Sequence, residues 1–336
     1  MEVCMLGSCD TSLCDAYDLA MLDLDGVVYV GGDAVPGAPE HLAAVREAGM
    51  RLAFITNNAA RPPGEVARHL CELGVEAEEA DVVTSAQAAA RLLAERFGAG
   101  ASIALLGGPG LEQALTAERL RPVSVHDEAS AVVSGYGPDV PWRDIMEAAV
   151  RIRDGLPWVA SNTDRSLPTP YGVAPGHGIL VEMVSRFSGV EPVVAGKPQR
   201  PLLDETVRRV GGERPLMVGD RLDTDIAGAQ HAGLDSLLVM TGVTGLAELV
   251  AAGKDERPTY IAPDLAGLRQ GHRAPDDADG KPALGGWTAG VESGRLVVSG
   301  DGDPADWWRV VACAAWAHLD EAGEPVDLAG VSVPRP

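Results

Sequence analysis

The sequence predicts an α/β protein: a doubly wound parallel-sheet core, a second α/β unit inserted into it, and a small ββα-like C-terminal appendage. Three observations predict this. Short apolar runs alternate with amphipathic stretches at the spacing of strand–helix units. The alternation restarts near residue 85 and again near 193, as if one sheet were interrupted by another. After residue 270 the pattern gives way to a polar segment, an alternating hairpin and one long helix.

The expected boundaries are an N-terminal extension over 1–16, a first core segment over 17–85, an insert over 86–190, a second core segment over 191–270, and the appendage over 271–336. In the first core segment the apolar run AMLDLDGVVYV leads, followed by a helix near 40–48, the strand RLAFI and a helix over 64–73 that Gly74 ends. The insert begins with IALLGG and a helix to about 120. It continues with AVVSGY, a helix over 142–153, PWVASN, a Gly- and Pro-rich loop over 163–178 and a helix over 179–187. The second core segment reads as the loop AGKP, a helix over 201–210, the strand PLMVGD, a helix over 224–232 and the strand SLLVM. The tail opens with APDDADGKP, expected to be a linker, before a hairpin over 287–299 and a helix over 304–319.

Lys plus Arg number 27 against 49 Asp plus Glu, a net charge of −22. That field repels polyphosphate backbones and argues against nucleic acid as a partner. A small anionic substrate would need a local positive centre. No apolar stretch approaches the roughly 20 residues of a membrane span, and the first basic residue is Arg46, late for a secretory or transit signal. The expected compartment is the cytoplasm, and the five cysteines (Cys4, Cys9, Cys14, Cys71, Cys313) form no C-x-x-C pair that would complete a zinc site.

The chemistry concentrates at expected strand ends. Asp23 and Asp25 close an apolar strand, with Gly26 next. Two carboxylates in a strand buried on both faces cost several kcal/mol unless a cation compensates, and the C-terminal edge of a parallel sheet is where ligands bind. Thr56, Asn57 and Asn58 close the second strand, where a hydroxyl and backbone N–H groups suit a phosphate. Lys197 is one of only three lysines in a chain with 24 arginines. Asp220 ends PLMVG, and Asp223 and Asp225 follow it. Each has an ordinary alternative: a turn, a capping Thr, a surface Lys, a helix N-cap. At successive strand ends they form a metal-plus-phosphate pattern.

This set resembles the haloacid dehalogenase-like (HAD) phosphatases, and more narrowly the branch with 4-nitrophenyl, phosphoglycolate, pyridoxal-phosphate and glycerol-phosphate phosphatases. DLDGVVY from Asp23, ITNNAARPP from Ile55, AGKP around Lys197 and GDRLDTDI from Gly219 carry the resemblance, over about residues 17–265. Ala59 stands where a Ser often follows the two Asn residues. The resemblance implies a HAD-like core with a large α/β cap, and hydrolysis of a small phosphomonoester through an aspartyl-phosphate.

It further implies Asp23 as nucleophile and Asp25 as general acid–base, with Thr56 and Lys197 on the phosphoryl oxygens. Mg²⁺ would be held by Asp23, the Asp25 backbone carbonyl, Asp220 and, through water, Asp225. Asn57 and Asn58 are expected at the substrate. From the cap loop SNTDRSLPTPYGVAPGHG, Asn162, Asp164, Arg165 and His177 are candidate substrate contacts, each with a solvated loop side chain as its ordinary alternative. Asn162 and Asp164 would suit a polyol phosphate such as glycerol 3-phosphate; Arg165 would suit phosphoglycolate. A broad sugar or nucleotide phosphatase and a non-catalytic phosphometabolite-binding protein are the other readings. GGPG at 107–110 lacks the full dinucleotide spacing and reads as a tight turn. Four of six Trp residues lie in the tail, expected either to pack on the body or to make a homodimer or ligand contact; the cap is the other candidate for a homodimer surface.

Overall fold

A computed structural model describes residues 6–169 and 172–334. The chain divides into two compact units. One holds the chain up to Leu52, Leu73–Val75 and everything from Gly212; the other holds Ala53–Glu72 and Glu76–Gly211.

In the first unit, four parallel strands run in the order Tyr260–Ala262, Asp235–Val239, Pro215–Gly219, Leu19–Leu22. Leu19–Leu22 is buried at every position, as a strand covered on both faces must be. The register pairs Leu22 with Val218 and Gly219 with Leu238, so the segments after Leu22 and Gly219 leave the sheet side by side. The apolar run expected as one strand breaks after Leu22. A turn follows in which the Leu24 carbonyl accepts from Val28 N–H (2.9 Å), and a short pairing of Tyr29–Val30 with Asp33–Ala34 completes it.

In the second unit, Arg51–Thr56, which straddles the division, pairs in parallel with Val82–Thr84. A separate five-stranded parallel sheet has the order Val193–Val194, Trp158–Ala160, Ala131–Ser134, Ser102–Leu106, Arg121–Val123. The Gly-rich stretch at 107–110 opens the helix Pro109–Ala117 by close packing, with Gly110 N–H on the Ala60 carbonyl at 2.9 Å. The loop expected over 163–178 carries a hairpin, Ser166–Thr169 against Gly172–Pro175.

The tail is the main correction. The segment expected as a polar linker is instead strand: Asp276–Ala278 and Lys281–Leu284 join Trp287–Glu292 and Arg295–Gly300 in a four-stranded antiparallel sheet. Its polarity misled because Asp276–Ala278 is an edge strand exposed at every position and Lys281–Leu284 is a short strand with only Pro282 buried. The helix Pro304–Ala322 is capped by the Asp303 carboxylate on Ala305 N–H (2.8 Å) and ends at Gly323, left-handed at φ 77°. Trp307, Val310, Val311, Ala315 and Trp316 from this helix share one core with Leu222, Ile226, Leu238, Leu249 and Ile261. Trp316 Nε1 donates to the Leu249 carbonyl at 2.7 Å, and Arg257 stacks on the Trp316 ring while forking onto Asp320 at 2.9 and 2.7 Å. The Trp residues of this helix therefore pack on the body. Trp307→Ala is expected to cost about 3–5 kcal/mol, read as a lower denaturant midpoint; a loss under about 1 kcal/mol would mean the tail contributes little to this core.

Cys9, Cys14 and Cys71 are free thiols and Cys313 is disulfide-bonded, a bond uncommon in the cytoplasm expected from the sequence. Cys4 lies outside the described residues. No helix of the described residues is long and apolar enough to cross a membrane.

Candidate active site

Two groups of predicted residues assemble, one in each unit. In the first unit Asp23 follows its strand directly, its N–H donating to the Val218 carbonyl at 2.9 Å. Asp220 follows the neighbouring strand and is fully buried; Asp225 sits on a π-helical turn, Leu222–Ile226, and is 1% exposed. The expected helix therefore begins with a wide turn, an irregularity common at functional positions. Asp23, Asp220 and Asp225 each bring one carboxylate oxygen to within 4.8 Å of the others. Asp225 Oδ2 is aimed by the N–H groups of Asp220 (3.2 Å) and Arg221 (3.1 Å). Asp223 turns away and forks with Arg221 at 3.0 and 2.7 Å, an ion pair rather than a helix cap. Asp25 is exposed, on the turn two residues beyond Asp23.

Three clustered carboxylates repel one another, and two of them have no access to bulk water. All-oxygen donors of this kind fit a hard divalent cation, and the residues present suit Mg²⁺.

The walls of this cluster are glycines that sequence reasoning missed. Gly26 (φ 86°) and Gly242 both back onto the Asp220 carboxylate, where any Cβ would overlap it. Val243 N–H donates to Asp220 Oδ2 at 2.6 Å, and Thr241 Oγ1 donates to the Gly26 carbonyl at 2.6 Å. The signal was a run of small residues, TGVTG, just past the strand SLLVM. Gly242→Ala is expected to displace Asp220 and lower metal affinity at least about tenfold, measured by Mg²⁺ titration; unchanged affinity would separate Asp220 from metal binding.

In the second unit Thr56, Asn57, Asn58, Asn162, Asp164 and Lys197 come together. Thr56 Oγ1 accepts from Asn58 N–H (3.0 Å), and Asn58 Oδ1 accepts from Ala60 N–H (2.9 Å), so this loop is self-braced. Asn57 is buried and is the hub. Its Oδ1 accepts from Lys197 N–H (2.8 Å); its Nδ2 donates to the Lys197 carbonyl (3.0 Å) and to Asp164 Oδ1 (2.9 Å). Its carbonyl accepts from Ser85 Oγ and Asn162 Nδ2, both at 2.6 Å. Lys197 is 2% exposed, an unusual burial for an ammonium group.

Arg165 and His177 do not join this group through a direct hydrogen bond. Arg165 is exposed and pairs with Glu182 at 3.0 Å. His177 is the first residue of the helix His177–Ser188, buried, with Nε2 3.2 Å from Ser134 Oγ. Burial lowers its pKa to about 4. The unfolded chain, with an ordinary His near 6.5, therefore binds more protons between the two values, so stability is present above about pH 6.5 and falls as the pH drops toward 4. The span corresponds to about 3 kcal/mol. Denaturant midpoints at pH 7 and 4.5 check it: His177→Gln is expected to reduce the acid loss but not abolish it, since buried His272 is lowered to about 4 as well, and an unchanged slope would exclude His177 as a source.

Two family models match the chain, haloacid dehalogenase-like hydrolase over residues 20–121 and HAD-hydrolase-like over 194–268. The D-glycerol 3-phosphate phosphatase of Mycobacterium tuberculosis is 43% identical over 315 residues, covering 91% of this chain and 87% of that protein. This chain belongs to the haloacid dehalogenase-like hydrolase family. An acid sugar phosphatase of Staphylococcus saprophyticus is 35% identical over 252 residues, 74% of this chain and 95% of its own. Among solved structures, the M. tuberculosis glycerol phosphate phosphatase in complex with magnesium matches at TM-score 0.84 and 42% identity, covering 94% of each chain. A 4-nitrophenylphosphatase of Thermotoga maritima matches at TM-score 0.71 and 30% identity, over 76% of this chain and 98% of that one. The fold is thus the HAD-like fold expected from the motifs. The shorter members of the family are matched almost end to end by about three-quarters of this chain, whereas the mycobacterial structure is matched over nearly all of it.

Proposed function

We propose that the chain is a Mg²⁺-dependent phosphatase that hydrolyses glycerol 3-phosphate through an aspartyl-phosphate. The observation that carries this reading is the carboxylate cluster of Asp23, Asp220 and Asp225, in which Asp23 alone is accessible enough to meet a substrate. The reading takes the carboxylate cluster and the Thr56–Lys197 group to act on one phosphoryl group.

Asp23 attacks phosphorus in line, and the bond to the leaving oxygen breaks. Asp25, exposed beside it, gives that oxygen a proton and later takes one from the water that hydrolyses the acyl phosphate. Thr56 and Lys197 neutralise the phosphoryl oxygens. Asp23, the Asp25 carbonyl and Asp220 would hold Mg²⁺, with Asp225 as an outer partner. When bound it screens the carboxylates from the phosphate dianion and stabilises charge on the transferring group.

Glycerol 3-phosphate is favoured among phosphomonoesters by the kinship with the mycobacterial enzyme. It is also favoured by the cap loop, where Asp164, a group suited to hydroxyls, is held by Asn57 while Arg165, suited to a carboxylate, is engaged by Glu182. In this reading residues 86–190 are the cap that excludes bulk water. The enzyme works in the cytoplasm, and a homodimer through the cap or tail is compatible with it.

The test is kcat/KM with Mg²⁺ for glycerol 3-phosphate, phosphoglycolate, pyridoxal phosphate, sugar phosphates and nucleotides. Glycerol 3-phosphate at least about tenfold above the rest supports the assignment. Preference for phosphoglycolate, or no preference, replaces it with the corresponding phosphatase. No turnover of any of them favours a binding protein.

A further inference from the structure

We infer that the Asn57 side chain positions the site rather than binding phosphate: its amide ties the main chain of Lys197 to the Asp164 carboxylate, so that the substrate-reading loop and the phosphate-side lysine share one frame. This rests on the phosphatase reading for its consequence in catalysis, but its geometry stands apart from that reading.

Both donor hydrogens of the amide are committed, and its oxygen accepts one bond. Oδ1 takes the Lys197 N–H at 2.8 Å; Nδ2 gives to the Lys197 carbonyl at 3.0 Å and to Asp164 Oδ1 at 2.9 Å. Turning the amide over would set NH₂ against an N–H and oxygen against two oxygens, so the network fixes its orientation. A group without one of these functions leaves a buried polar atom unsatisfied.

The fit is tight on the lysine side. A Cβ on Gly196 would stand 2.5 Å from Asn57 Oδ1 and 2.7 Å from the Ser161 carbonyl, so glycine is needed for the main chain to approach the amide. On the far side Asn162 Nδ2 holds the Asn57 carbonyl at 2.6 Å and its own Oδ1 accepts from Asp164 N–H at 3.1 Å. The loop segment 162–164 thus grips residue 57 through both its main chain and its side chain, and residue 57 grips Lys197. A shift of Asp164 on meeting substrate is passed to Lys197 through this amide.

The experiment is an exchange cycle in the full chain with saturating Mg²⁺ and 4-nitrophenyl phosphate. Asn57→Asp replaces two donors with acceptors facing the Lys197 carbonyl and Asp164, and is expected to lower kcat/KM about 100-fold. Adding Asp164→Asn restores a bond of opposite direction between the two side chains and is expected to recover at least about tenfold. An Asn57→Asp variant within about threefold of wild type, or an exchange no better than Asn57→Asp alone, overturns the inference. Should Asn57→Asp fail to fold, Gly196→Ala strains the same contact from the lysine side, with loss of kcat/KM expected and an unchanged value contradicting it. If the wild-type chain does not turn over, the phosphatase reading fails separately. The cycle is then read in Tm, where the exchange must regain what Asn57→Asp loses.

Discussion

Replacing Asp23 with Asn is expected to remove turnover while leaving the fold in place. The side chain keeps its shape, and the main-chain bond from Asp23 N–H to the Val218 carbonyl at 2.9 Å is indifferent to the change. What is lost is a carboxylate that both attacks phosphorus and belongs to the cation site, and an amide does neither. A loss in kcat of at least about 10⁴-fold is expected, as for other nucleophile deletions. Tm without Mg²⁺ should hold or rise, because one of three repelling carboxylates has been neutralised. Turnover within tenfold of wild type would eliminate the covalent mechanism.

The second large effect belongs to Lys197. Its side chain is 2% exposed and its main chain is pinned on both sides by Asn57. Lys197→Met keeps the length and volume while removing the charge, so packing should survive. Loss of one preorganised donor to a transferring phosphoryl group is worth about 10²–10³-fold in kcat. Lys197→Arg should recover little of it, since a larger planar guanidinium does not reproduce the position of a compact ammonium. Kinetics of both variants under saturating Mg²⁺ are the check; an Arg variant near wild-type kcat would mean that any positive charge suffices there.

The motif residues were legible because chemistry restricts them. Each alone had an ordinary alternative, but together at successive strand ends they did not, and the structure groups Asp23 with Asp220 and Asp225, the carboxylates the family resemblance implied. The parallel strands were legible for a similar reason: runs such as LAML and PLMVG are apolar at every position. What the sequence hid was set by backbone proximity. Gly242 looks like any loop glycine until the Asp220 carboxylate is seen to fill the space its side chain would take. Asn57 looks like a phosphate-loop residue until its amide is found spent on Lys197 and Asp164. His177, drawn into the cap-loop candidates by its place after GVAPG, is instead buried beside Ser134 at the start of a helix. The polar stretch after residue 273 hid two strands, because an exposed edge strand and a short neighbour with one buried residue leave no apolar alternation to read.

The central claim is that a divalent cation on the Asp23–Asp220–Asp225 cluster makes this chain a phosphomonoesterase. Phosphate release from 4-nitrophenyl phosphate tests it most directly, measured with Mg²⁺, after EDTA, and after Mg²⁺ is restored. Release that stops with EDTA and returns with the metal is the predicted result. Release indifferent to EDTA, or none under any of the three conditions, would contradict the account.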